Sequence, residues 1–118
     1  MGNLKDLHMY TGTEHHYRHI SGFKYTDGVQ YVANEAGAYW LLDKILFLMR
    51  EKKFQTTALQ EYTFWTLKVD LEKKSGVLTA DDGNGKEIHR EEIEYTDFPE
   101  PEIKVWFEYG VLILPSEH

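Results

Sequence analysis

Residues 26–53, TDGVQYVANEAGAYWLLDKILFLMREKK, decide how the chain is read. Val29, Val32, Ala33, Ala36, Trp40 and Phe47 recur at intervals of three, four or seven, which is helical spacing. Thr26 is an N-cap residue and Asp27 suits the positive end of a helix dipole, whereas Arg50, Lys52 and Lys53 suit the negative end. The pattern predicts one long central helix over 26–53. Gly28 and Gly37 each cost up to ~1 kcal/mol inside a helix, so Gly37 marks a break, a kink or a close backbone approach. Between Ala38 and Met49 the segment is apolar almost all round, which calls for burial on most faces.

Downstream the period changes from helical to two. In FWTLKVDLE, Trp65, Leu67, Val69 and Leu71 alternate with Thr66, Lys68 and Asp70 as in a half-buried strand. SGVLTA is a second strand, and DDGNG at 81–85 is a hairpin loop of residues that tolerate positive φ. KEIHREEIEY is charged enough for an edge strand, DFPEP stops it, and IKVWFEY alternates again before a turn at Gly110. The expected architecture is a single α+β domain over 1–118. It comprises a polar N-terminal strap at 1–25, the helix at 26–53, and an antiparallel sheet of four or five strands at 60–115.

Composition excludes several classes of function. The chain has 118 residues, 42% of them apolar and 14% aromatic, which suffices for one core. Its net charge of −7 argues against general nucleic-acid binding, which draws affinity from basic residues that displace counterions. With no cysteine, disulfides, thiolate zinc sites and cysteine nucleophiles are absent. The N-terminal segment lacks the apolar stretch of a secretion signal, and the AYWLL and ILFLM runs are too short for a membrane span. The expectation is a soluble cytoplasmic protein without membrane contact.

The segments YTGTEHHYRH, YTDGVQYVANEAGAYWLLDKI, LTADDGNG, EYTDFP and GVLILPSEH together resemble a small uncharacterised domain family of bacteriophages, plasmids and integrative mobile elements. The resemblance implies a mobile-element origin. Small acidic proteins of such elements often antagonise host defence. It implies no catalytic residues.

The segment at 10–19 concentrates chemistry. His15, His16 and His19, with Glu14 and His8, invite a metal reading. However, adjacent histidines point apart, and the glutamate does not sit between the ligands as it does in zinc motifs. No metal and no cofactor are expected. Glu14, a histidine, Tyr17 and Arg18 suit acid–base work, and Asp43 interrupts the apolar helix one turn from Tyr39 and Phe47. A carboxylate there needs a partner, to be found in Arg18, His15 or His19. The weak catalytic candidates are therefore Glu14, His15, His19 and Asp43, and the structural pair is Arg18 with Asp43. No serine stands in a nucleophile elbow: Ser21, Ser75 and Ser116 read as turn or tail residues.

A second concentration is acidic: Glu87, Glu91, Glu92, Glu94, Asp97, Glu100 and Glu102, with Trp106 on the polar side of its strand. Carboxylates beside an exposed aromatic suit a basic protein partner, the charge steering and the ring anchoring. The function expected is a non-enzymatic phage or mobile-element protein. It would bind and inhibit a basic or nucleic-acid-binding host protein, in the manner of an anti-CRISPR that mimics nucleic acid. The alternative is a small enzyme or ligand-binding domain using Glu14, His15, Arg18, His19 and Asp43. A homodimer through sheet edges or aromatics is a further option.

Overall fold

The structure, a computed structural model, describes residues 16–118. Among these residues the sheet has seven strands: β1 His16–Arg18, β2 Lys24–Thr26, β3 Tyr62–Asp70, β4 Ser75–Asp81, β5 Glu87–Ile93, β6 Glu102–Glu108 and β7 Val111–Ile113. Their order is β1-β2-β7-β6-β3-β4-β5. All pairs are antiparallel except β2 with β7, which run parallel with Lys24 opposite Val111 and Tyr25 opposite Leu112. The expected sheet of four or five antiparallel strands is thus wrong in size and in type. Strands of three residues, as β1 and β2 are, are too short to display an alternating pattern.

The single long helix is also overturned. The segment divides into α1 Asp27–Glu35 and α2 Tyr39–Leu48, then a 3-10 turn at Lys52–Phe54 and α3 Thr57–Glu61. Gly37 makes the first break. It sits at φ +62°, and the Ala38 amide reaches back to the Ala33 carbonyl at 2.8 Å, the 6→1 bond of a Schellman cap. The second break follows from competition for a carbonyl. The Gln55 and Gln60 side-chain amides donate to the Met49 carbonyl (2.7 and 3.3 Å), and Glu51 is extended. Thr26 caps α1 by accepting the Val29 amide at 3.2 Å, and Thr56 does the same for Leu59 at the start of α3.

The helices cover one face of the sheet. Trp65, Leu67, Leu78, Ala80, Val105, Phe107 and Leu112 point from the strands into a core shared with Val29, Val32, Leu42, Ile45, Leu46, Met49 and Phe54. Period-two burial makes β3 and β6 recognisable, although Leu71 falls outside β3 and is exposed. The β4–β5 hairpin closes at 82–86 with glycines 83 and 85 at positive φ. Tyr109 and Gly110 both have positive φ (48° and 84°), as a two-residue type I′ turn between β6 and β7 requires.

Neighbouring residues of α2 reach toward opposite sides of the sheet. Asp43 contacts His19, just past β1, and Lys44 contacts Glu91 on β5. A flat seven-stranded sheet would be about 29 Å wide at ~4.8 Å per strand, so the strands must curl around α2. No helix among the described residues is long and apolar enough to cross a membrane.

Candidate functional site

The chain turns tightly between β1 and β2. His19 donates its amide to the Phe23 carbonyl (2.8 Å), and the Gly22 amide returns to the His19 carbonyl (3.0 Å). This turn tucks the His19 side chain against α2, where its ring meets Phe47 edge-on at 5.1 Å between centroids and Tyr25 at 6.5 Å. Its Nε2 lies 2.8 Å from Asp43 Oδ1. Of the three partners proposed for Asp43, His19 is the one in contact. Arg18 is exposed on β1 and makes no ion pair with a described residue. The carboxylate is not buried: its side chain is 54% exposed, whereas that of His19 is 6% exposed. The buried partner is therefore the imidazole.

On its other side, His19 Nδ1 lies 3.0 Å from the Ser21 amide nitrogen and 2.8 Å from Ser21 Oγ. A backbone N–H can only donate, so Nδ1 is the unprotonated nitrogen and Nε2–H donates to Asp43. With Nδ1 an acceptor, the short contact to Ser21 Oγ requires the hydroxyl to donate as well. The Phe23 amide donates to the same Oγ at 3.3 Å. Ser21, His19 and Asp43 thus form a continuous hydrogen-bonded relay in which a hydroxyl faces a base that a carboxylate orients.

The relay is bordered by apolar surface. Tyr39, Asp43 and Phe47 follow one another at intervals of four on α2, and both aromatics are about half exposed. Ile20, between His19 and Ser21, is 88% exposed. Tyr17 stacks on Tyr25 at 5.5 Å. Burial, and then the neighbouring Tyr39, Tyr17 and Asp43, push the Tyr25 phenol above its ordinary pKa. The Arg50 guanidinium lies over the Phe23 ring (5.8 Å), and its Nη1 is 3.9 Å from where a Cβ on Gly22 would stand.

Sequence spacing gave no hint of Ser21, which it placed in an ordinary turn. It is in a turn, but that turn folds its hydroxyl onto a histidine two residues away. Glu14, His15 and His8 lie outside the described residues. Among the described residues, no group of three or more His, Asp or Glu is placed to hold a metal ion.

The acidic residues separate into two sets. Glu91 is engaged internally by Lys44 Nζ (2.6 Å) and His89 Nε2 (3.1 Å), and Lys53 Nζ lies 2.6 Å from His89 Nδ1. Lys44 first, and His89 second, hold the Glu91 carboxyl below the usual glutamate range. Glu87 pairs with Arg90 at 2.8 Å. By contrast, Glu92, Glu94, Asp97, Glu100 and Glu102 are exposed and form no ion pair with a described residue. Trp106 does not stand free beside them. It is partly buried, packed edge-on against Phe64 (5.2 Å) and His118 (5.1 Å). The exposed aromatic of this region is Tyr95, at 67%. Its neighbour Thr96 turns inward and donates its amide to the Lys74 carbonyl (2.8 Å), and Phe98 is buried next along, so Tyr95 and Asp97 face outward.

No curated protein and no solved structure matches the chain. A family model described as a family of unknown function (DUF6876) matches residues 2–118. The chain therefore belongs to the DUF6876 family.

Proposed function

We propose that this protein binds a basic, nucleic-acid-binding host protein through the stretch between β5 and β6, and inhibits it by occupying the surface that would hold nucleic acid. The same proposal places it in a phage or other mobile element, acting against a host defence complex. The supporting observation is the exposure of Glu92, Glu94, Asp97, Glu100 and Glu102 together with the outward Tyr95, on backbone pinned by Thr96 and Phe98. Carboxylates without internal partners are free to meet basic groups on a partner, and an exposed ring on fixed backbone supplies an anchor at low entropic cost. Glu91 is left out of this surface because Lys44 and His89 already engage it.

The test is affinity capture from nuclease-treated bacterial lysate at low and high salt. Screening shrinks the reach of exposed charges to about 3 Å at 1 M salt. The expected partner is a basic protein released by salt and displaced by duplex DNA. Glu94→Lys with Asp97→Lys should abolish capture, and Tyr95→Ala should weaken it. A complex indifferent to salt, to DNA and to these substitutions overturns the proposal.

A further inference from the structure

The geometry points to Ser21 as a nucleophile, with His19 as its base and Asp43 as the positioning residue, acting on small esters that carry an apolar acyl group.

Four observations converge on it. Ser21 Oγ lies 2.8 Å from His19 Nδ1, and the backbone amide at the same nitrogen fixes that nitrogen as the proton acceptor. His19 Nε2 lies 2.8 Å from Asp43 Oδ1, so the imidazolium formed on proton transfer meets a carboxylate already in place. The imidazole is buried, which keeps its orientation, whereas Ser21 is only partly covered and can be approached. Ile20, Tyr39 and Phe47 leave apolar surface exposed around the relay, as an acyl chain would require.

In the reaction, Ser21 Oγ attacks the carbonyl carbon while its proton passes to His19 Nδ1. The tetrahedral intermediate collapses by breaking the carbon–alkoxide bond, and His19 returns the proton to the departing alcohol. Water then repeats the sequence on the acyl-serine, releasing the acid and restoring the Ser21 hydroxyl. No oxidant or further reactant is needed.

The turn also limits the substrate. The Gly22 amide is bonded to the His19 carbonyl and the Phe23 amide to Ser21 Oγ, so the nearby backbone offers no free pair of donors for the oxyanion. Charge stabilisation falls to Arg50 beside Gly22. Each missing oxyanion donor lowers the rate by about 10²–10³, which favours esters with good leaving groups over amides.

The experiment treats the full chain with an alkyl fluorophosphonate. Attack by Ser21 forms the oxygen–phosphorus bond, expels fluoride and delivers the hydroxyl proton to His19, and peptide mass spectrometry locates the adduct. The expected result is an adduct on Ser21 that is absent in Ser21→Ala. Asp43→Asn should slow labelling at least tenfold at unchanged melting temperature, with partial recovery in Asp43→Glu. Arg50→Gln should slow it by a similar factor. No adduct on Ser21 in the folded native chain, equal labelling of Ser75 or Ser116, or an Asp43→Asn rate equal to the parent's overturns the inference and leaves the relay as a turn fastener.

Discussion

The Thr26 hydroxyl donates to Glu117 Oε1 at 2.7 Å across a separation of 91 residues. The same oxygen accepts the Leu114 amide at 2.9 Å, so the C-terminal carboxylate fastens to the residue that caps α1. Gly28 makes room for it: a Cβ there would stand 2.7–2.8 Å from the Glu117 carboxylate atoms. Negative charge at this end of α1 is also favoured by the helix dipole.

Gly28→Ala should therefore destabilise the protein by about 1 kcal/mol, although alanine is the better helix former, because the displaced carboxylate loses charge-assisted bonds. In a Glu117→Ala background the sign should reverse, since the added methyl then meets no carboxylate and the propensity gain of up to ~1 kcal/mol remains. Urea unfolding of the four variants measures both signs. Additive effects in that cycle would show that Gly28 and Glu117 do not interact.

The His19–Asp43 contact joins a buried ring to a half-exposed carboxylate, and the two substitutions should not be equivalent. His19→Ala removes a packed ring from between Phe47 and Tyr25 and should cost about 2–3 kcal/mol, in the range of large-to-small core changes. Asp43→Asn keeps an acceptor for Nε2 and loses only a solvent-screened charge, so its cost should stay below about 1 kcal/mol. Thermal melts of the two variants settle the order. Equal losses would mean that the charge, rather than the ring, holds the β1–β2 turn to α2.

Much of the second half of the fold was legible because β3, β4 and β6 are long enough to alternate, and because DDGNG names its own turn. The first half misled for a physical reason. Val29, Val32 and Ala36 before the break, and Leu42, Ile45 and Met49 after it, all pack into one core, so helical spacing continues through a cap that ends the helix. The parallel pairing of β2 with β7 joins segments far apart in the chain and leaves no local trace. Asp43 was legible as a carboxylate in need of a partner. Its choice of His19 over Arg18 depends on the turn at 19–23, as does the position of Ser21, and no periodicity encodes either. Trp106 reads as the polar side of β6, which it is, but the sheet's second face carries Phe64 and His118 to shelter it.

Gly37 separates the two architectures experimentally. It sits at φ +62° with nothing within 4 Å of where a Cβ would stand, so Gly37→Ala meets strain without a clash. The expected cost is about 1 kcal/mol, that of placing a side chain in left-handed backbone. Gly37→Asn should cost less, since asparagine tolerates this conformation. In one continuous helix, Gly37→Ala would stabilise by a similar amount. Denaturant midpoints for the two variants decide the matter by sign.

Glu91 gives the pH dependence. Lys44 and His89 favour its charged form, so its folded pKa lies below the unfolded one. A depressed carboxylate contributes stability that is fully present above the unfolded pKa and is lost as pH falls through the folded value. Glu91→Gln should therefore be less stable than the parent at neutral pH. The gap should narrow through the acidic range, beginning near the ordinary glutamate pKa and closing below the lowered one. Because both Lys44 and Glu91 are about one-third exposed, screening keeps the neutral-pH difference near 1 kcal/mol. Urea titrations of parent and variant over a pH series read the gap directly. A difference that stays constant into strong acid would show that Glu91 acts by packing or neutral hydrogen bonding, and that its charge does not hold β5 to α2.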